Sequence, residues 1–233
     1  MSELEEISGK LTGLTAGEIL EFAIARFPGK VIFSSSFGLE DQVISHLIGS
    51  ANLPIDVFSL DTGRLFPEVY SLMERTREKY HPNLKVYFPD AQSVEELVNS
   101  KGAFSFYESV ENRKECCRIR KVEPLKRALK GYDCWITGIR AEQSDGRSEM
   151  SMVEWDEGNS ILKFHPLLNW TFEEVKEFIR ANHVPYNKLH DQGFVSIGCA
   201  PCTRAIKAGE DFRAGRWWWE DQSKKECGLH IHE

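Results

Sequence analysis

Apolar residues along this chain follow two alternating rhythms. Short runs rich in β-branched and aromatic residues read as strands: KVIFSSS at residues 30–36, IDVFSLDTG at 55–63, LKVYFPD at 84–90, YDCWITGIR at 132–140 and NSILKFHPLLNW at 159–170. Segments with helical spacing lie between and after them. FGLEDQVISHLIGS places Leu39, Val43, Leu47 and Ile48 on one stripe, and PEVYSLMERTREKY and SVEELVNS continue in the same way. TFEEVKEFIRAN opens with Thr171 and Glu174 at the spacing of a capping box. Strands alternating with helices predict βαβ units, hence an α/β fold with a mostly parallel sheet and helices on both faces. From about residue 187 the rhythm stops. Residues 1–186 therefore read as an α/β domain, and 187–233 as a carboxy-terminal lobe and tail of that same domain, laid over the sheet edge.

In a parallel sheet, ligands bind beyond the carboxyl ends of the strands. Three strand ends carry polar loops. SSSFGLED (34–41) opens a helix with small residues, which lets backbone N–H groups approach an anion; as a plain turn it makes Ser36 the N-cap. It lacks the Gly-Lys-Ser/Thr of a Walker A loop and the Ser-Gly-Gly-x-Asp-Ser loop of ATP pyrophosphatases. LDTGRLFPE contributes Asp61, Thr62 and Arg64, and TGIRAEQSDGRS contributes Gly138, Arg140 and Arg147. One such loop is an ordinary solvated turn. Three together, two of them carrying arginine, point to a phosphorylated nucleotide.

Composition narrows the class. The 233 residues are 41% hydrophobic and 28% charged, which suits a folded soluble enzyme. The net charge of −7 argues against a nucleic-acid-binding protein, which needs a basic face. No apolar run is long enough to span a bilayer, and the start MSELEEISGK lacks the basic and apolar regions of a secretory signal, so a cytoplasmic protein is expected. A homo-oligomeric state is compatible with these features.

The cysteines change the picture most. Cys116 and Cys117 are adjacent in KECCRIRKVEPLKRAL, and Cys199 and Cys202 form a C-x-x-C pair in IGCAPCTR. In a reducing compartment, two tight pairs point to metal binding or redox chemistry. Four thiolates can close around zinc or an iron–sulfur cluster. Directly adjacent cysteines are uncommon for structural zinc and lean toward a cluster, but spacing alone leaves both open. Cys134 lies inside an apolar strand and reads as core. Cys227 stands apart in the terminal ECGLHIHE, where a buried structural role is hard to build.

Together SSSFGLED, LDTGRL, ECCRIRKVEPL, TGIRAEQS, LHDQGFVSIGCAPCTRA, EDFRAGRWWW and KKECGLH resemble the adenylyl-sulfate (APS) reductases of sulfate assimilation, from about residue 31 to 230. The resemblance implies an adenine nucleotide α-hydrolase-like fold and a [4Fe–4S] cluster held by Cys116, Cys117, Cys199 and Cys202. It implies Cys227 as the nucleophile, with Lys121, Arg213, Arg216 and His230 around the phosphosulfate. It assigns nucleotide binding to the loops containing Ser34, Ser36 and Thr62. The related phosphoadenylyl-sulfate (PAPS) reductases keep the Glu-Cys-Gly-Leu-His ending but lack the cysteine pairs, which favours APS; PAPS or dual activity is the alternative. The chain carries no redoxin domain of the plant type, so thioredoxin or glutaredoxin is the implied donor. Two other readings compete: an ATP-pyrophosphatase-type adenylating enzyme, and a zinc-stabilised nucleotide sensor.

These residue types suit that chemistry. A thiolate is needed to attack sulfur, and a free cysteine, with a pKa of about 8.5, is mostly protonated at neutral pH. His230, Lys224 and Lys225 are the nearby cations in the sequence. Lys121, Arg213 and Arg216 would offset the repulsion between thiolate and substrate, the two arginines sharing one face if DFRAGR is helical. RWWW reads as packing at the root of the tail.

Overall fold

The computed structural model describes residues 3–143, 147 and 149–220. Six strands form one sheet in the order β3-β2-β1-β4-β6-β5. They are β1 (Val31–Ser34), β2 (Asp56–Leu60), β3 (Lys85–Tyr87), β4 (Cys134–Ile136), β5 (Val153–Asp156) and β6 (Ile161–Phe164). β1 pairs in parallel with β2 and β4, with Phe33 opposite Val57 on one side and Ile136 on the other. β6 joins β4 in parallel, and β5 returns antiparallel along β6. Val31, Ile32 and Phe33 are all buried, as are Cys134, Trp135 and Ile136, which is why these strands read as continuous apolar runs. The chain builds outward from β1 through β2 and β3, then crosses to β4 and builds the other way. The order reverses between β1 and β4, and at such a point the loops after adjacent strands diverge to leave a crevice.

Helices α1 (Glu3–Leu11), α2 (Ala16–Arg26), α3 (Leu39–Ser50), α4 (Pro67–Lys79) and α5 (Ala91–Lys101) precede α6 (Val110–Cys117), α7 (Glu123–Leu129) and α8 (Phe172–Ala181). The capping box of α8 is present: the Thr171 hydroxyl accepts from Glu174 N–H, and the Glu174 carboxylate accepts from Thr171 N–H. The apolar pattern predicts no element before residue 30. Yet α2 carries its own capping box at Thr15 and Glu18, a signal that would have announced it. β5 was missed because an exposed edge strand, with Trp155 half out, has no apolar run.

Two expectations are corrected. Gly38, not Ser36, is the N-cap of α3, and it makes no side-chain capping bond. The Ser36 hydroxyl instead donates to the Asp41 carboxylate. DFRAGR is a series of turns, not a helix. The Asp211 side chain accepts from Arg213 N–H, Gly215 O accepts from Arg204 N–H, and Arg216 bridges to Thr203, so the backbone is drawn into pairing with the preceding segment.

The described residues fall into two compact units. The first holds 3–59, 67–85 and the described part of 131–188, with most of the sheet; the second gathers 60–66, 86–130 and 189–220. The carboxy-terminal segment therefore folds with two earlier stretches of chain. Among the described residues, no helix is long and apolar enough to cross a membrane.

Candidate active site and its cysteine cavity

The second unit brings the two cysteine pairs together. α6 begins at Ser109, whose hydroxyl accepts from Asn112 N–H, and ends on Cys116 and Cys117. It runs directly into a π-helical turn, Arg118–Val122, where Glu123 N–H bonds Arg118 O, five residues back. Pro124 accounts for the wide turn: it has no N–H to give to Arg120 O, and its ring would crowd that carbonyl in a regular helix. Arg120 and Lys121 then follow the cysteines by four residues each, and both line the same cavity.

Cys199 and Cys202 are held on a short 3-10 turn. Cys202 N–H donates to Cys199 O, and Ala200 N–H donates to Arg64 O. Thr203 binds both neighbours, giving its hydroxyl to Cys199 O and accepting from Gly198 N–H. The Tyr107 hydroxyl donates to Pro201 O at 2.6 Å. One cavity is lined by Cys116, Cys117, Cys199 and Cys202 together with Arg64, Arg113, Arg120, Lys121 and Phe106. Thr62 stands beside it, with its hydroxyl 3.2 Å from Cys199 Sγ and its carbonyl accepting from Arg120 Nη1 at 2.6 Å.

Burial pushes the Cys116 thiol above its ordinary pKa, although Arg120 and Arg64 pull the other way. Burial, then the neighbouring Cys199, pushes Cys202 to about 12 against the opposing pull of Lys121 and Arg216. These thiols are protonated at neutral pH unless something takes the protons' place. Among the described residues, no three cysteine, histidine or carboxylate side chains converge tightly enough to hold a single metal ion.

Arg216 packs over the Trp217 ring, 4.9 Å from its centroid, and its guanidinium fills the place a side chain at Gly198 would take. Arg213 also faces Trp217, at 5.9 Å. Trp217 is buried, as expected for packing, while Trp218 is 40% exposed. Cys134 is buried in β4, and burial raises its thiol pKa well above the ordinary value. Cys227 and His230 lie outside the described residues.

In the first unit, the loop after β4 meets the first turn of α3. The Ser34 hydroxyl accepts from Trp135 Nε1 at 2.8 Å. The Asp41 carboxylate accepts from both Ser36 N–H and its hydroxyl. Gly138 closes over this carboxylate so tightly that a Cβ there would stand 2.3 Å from Asp41 Oδ1. Arg140 is fully buried, giving Nε to Glu40 at 2.8 Å and Nη1 to Glu142 at 3.0 Å, under the Phe172 ring. Arg147 donates to Gln143.

Residues 30–205 match the family described as the phosphoadenosine phosphosulfate reductase domain. The chain belongs to that family. Several curated members are named adenosine 5'-phosphosulfate reductase. One from Neisseria meningitidis is 53% identical over 199 residues, spanning 85% of this chain and 82% of that protein. One from Sinorhizobium fredii is 45% identical over 232 residues, spanning 100% and 92%. Among solved structures, a phosphoadenylyl-sulfate reductase from Candida auris superposes with a TM-score of 0.75 at 33% identity, covering 88% of this chain and 98% of that one. Yeast FAD synthetase, at 17% identity and a TM-score of 0.58 with 88% and 69% covered, shares the fold, that of the adenine nucleotide α-hydrolases. As a member of this reductase family, the protein is an oxidoreductase acting on a sulfur group.

Set against the residues predicted from sequence, the second unit contains the four cysteines, Thr62, Lys121, Arg213 and Arg216, and the first contains Ser34, Ser36, Arg140 and Arg147. Arg64, Arg113 and Arg120 were not singled out for the cysteine cavity. Arg113 and Arg120 carry a usable signal: each stands four helical residues from a cysteine of the adjacent pair.

Proposed function

We propose that this protein reduces adenylyl sulfate to sulfite and AMP. The observation that carries the proposal is the single cavity in which four cysteines from two distant pairs meet Arg64, Arg120 and Lys121. The names of the relatives and the paired cysteines both favour adenylyl sulfate over its 3'-phosphorylated form.

The four cysteines suit a [4Fe–4S] cluster. All four line one cavity, and the cations beside them would balance the negative charge of a four-thiolate cluster. Ligation replaces the thiol protons, which removes the protonated state that burial otherwise enforces. When bound, the cluster supplies a fixed charge and a frame that sets where Lys121 points.

In the reaction, the Cys227 thiolate attacks the sulfate sulfur, the S–O bond to phosphate breaks, and AMP leaves. Lys121, Arg213 and Arg216 offset the repulsion of two approaching anions and the charge growing on the leaving phosphate, and His230 favours the thiolate. The loops of Ser34, Ser36 and Thr62 bind the nucleotide, with Arg140 and Arg147 as further substrate-binding residues. The product is S-sulfocysteine at Cys227. A dithiol donor, thioredoxin or glutaredoxin, then attacks Sγ of Cys227, sulfite leaves, and the second donor thiol resolves the mixed disulfide. The donor's two electrons account for reduction of sulfate sulfur to sulfite, and such a donor belongs to a reducing cytoplasm.

The test is anaerobic purification, incubation with adenylyl sulfate or its 3'-phosphorylated form, and mass spectrometry of the carboxy-terminal peptide. The expected result is a brown protein that gains a sulfonate on Cys227 with adenylyl sulfate and releases sulfite on adding thioredoxin. A Cys227→Ser variant gains nothing. Adduct formation only with the 3'-phosphorylated nucleotide would reassign the substrate, and no adduct with either would overturn the proposal.

A further inference from the structure

One face of the sheet in the first unit carries a polar row that ends on Ser34. Ile32 stands opposite Trp135 across the β1–β4 pairing, and Trp135 stands opposite Lys163 across β4–β6. Ser34 lies two residues beyond Ile32 and so projects from the same side. Lys163 Nζ is 3.0 Å from the Asp156 carboxylate and 5.3 Å from the centre of the Trp135 ring. Trp135 Nε1–H in turn donates to Ser34 Oγ at 2.8 Å. Trp135 and Lys163 are each 1% exposed, whereas Ser34, at the carboxyl end of β1, is half-buried.

An indole N–H is a donor only, and when buried it takes a partner. Here that partner is a side chain at the strand end where the sheet order reverses, the place where an open α/β sheet binds its ligand. A serine hydroxyl has one proton and two acceptor positions. The indole N–H fills one acceptor position, so the Ser34 proton is directed away from Trp135. The same bond holds Oγ in a single staggered χ1 well. The buried Lys163 charge beside the ring draws electron density from the indole and strengthens its N–H as a donor. Among the described residues, no other group bonds the Ser34 hydroxyl.

We propose that Trp135 is a positioning residue: its indole N–H fixes the Ser34 hydroxyl so that Ser34 donates its proton to an acceptor atom of the bound adenine nucleotide. The inference rests on Ser34 binding the nucleotide, as proposed above. Released from the indole, Oγ samples three χ1 wells and its proton three positions in place of two, which weakens nucleotide binding by up to about fourfold. Removing the hydroxyl itself removes a hydrogen bond, a loss of about tenfold. The two losses overlap, because without the hydroxyl there is nothing left for Trp135 to orient.

The experiment measures binding of AMP, the nucleotide product of the proposed reaction, by calorimetry on the full chain purified anaerobically with its iron. Trp135 is replaced by benzothienylalanine, which keeps the shape of the ring system and has sulfur where the N–H was. Ser34→Ala and the combination of both complete a double-mutant cycle. The replacement at 135 should weaken AMP binding about fourfold, Ser34→Ala about tenfold, and the combination about tenfold rather than about fortyfold. A merely structural Trp135 would lower the melting temperature and leave AMP affinity unmoved. Affinity within about twofold of the unmodified protein for the replacement at 135, or a combined loss near fortyfold, overturns the positioning role and leaves the proposed function standing. Unchanged affinity in Ser34→Ala removes Ser34 from the site and overturns the positioning role as well. Should the replaced chain fail to fold, the isotope-labelled indole of Trp135 in the unmodified protein decides: its N–H resonance should shift on saturation with AMP, and an unmoved resonance overturns the proposal. A chain that binds AMP with the expected coupling yet forms no adduct on Cys227 overturns the functional proposal alone. No AMP binding by the unmodified protein overturns both.

Discussion

The carboxylate of Asp41 accepts hydrogen bonds from the amide and the hydroxyl of Ser36, at 2.6 and 2.7 Å. The strand-to-helix loop that looks from its sequence like an anion cradle thus holds an anion-type group of its own chain. Burial pushes the Asp41 pKa up to about 6, outweighing the bonds from Ser36 and Gly38, and the neighbouring Glu40 adds to the rise.

This shift has a signed consequence for stability. The folded pKa lies above the unfolded one, so the folded state holds the proton more tightly. The contribution is complete below about pH 4 and is lost as pH rises through about 6. Asp41→Asn, which cannot ionise, should therefore gain on the unmodified protein between pH 4.5 and 7.5, by at most about 3 kcal/mol from two pKa units. Denaturant titrations at the two pH values measure it. An equal difference at both would show that Asp41 is not desolvated as described.

In the proposed mechanism Lys121 contributes a charge and no iron ligand. Lys121→Ala should lower kcat/KM by about a hundredfold, the scale of one lost electrostatic donor at a reacting anion. Iron content and the visible spectrum should be unchanged. A variant with full activity would remove Lys121 from the mechanism.

Cysteines in the cavity and in the core should respond differently to replacement. Cys116→Ser and Cys202→Ser should lose iron and colour, and with them activity. Cys134→Ala should keep both and lose about 1 kcal/mol of stability, the value of roughly one buried methylene-sized group. Iron analysis beside a melting curve separates the cases, and full iron in Cys116→Ser with retained activity would end the cluster assignment.

Gly198 is where Arg216 rests. A Cβ at Gly198 would stand 2.3 Å from Arg216 Nη2 and 2.5 Å from its guanidinium carbon. Gly198→Ala should displace the guanidinium, cost about 1–3 kcal/mol by overpacking, and reduce turnover. Gly17→Ala, in α2 with open space around it, is the control and should lose neither. Unchanged kinetics in Gly198→Ala would mean that the place of Arg216 does not matter.

Much of the fold was legible because its core strands are buried on both faces. Residues such as Val31, Ile32 and Phe33 are then all apolar, and no alternation is needed to find them. The helices between them show their stripes, and Thr171 and Glu174 marked the start of α8 to the residue. Elements without such a signature escaped. The edge strand β5 is half exposed, and α6 carries Arg113 where a buried apolar residue would be expected. The arginines of DFRAGR could not be placed, because their conformation is set by pairing with Thr203 and Arg204, residues outside the motif.

By itself, then, the sequence determined the α/β rhythm, the polar strand ends and the presence of two cysteine pairs, since these depend on local pattern and residue chemistry. Tertiary structure alone decided that the pairs, 82 positions apart from Cys117 to Cys199, face one cavity ringed by Arg64, Arg120 and Lys121. It also decided that Arg140 is tied to Glu40 and that Arg113 grips Glu220. A guanidinium looks the same in sequence whether it is solvated, paired or aimed at a ligand. Only the partners that folding brings within hydrogen-bond distance, and the water that folding removes, tell these apart.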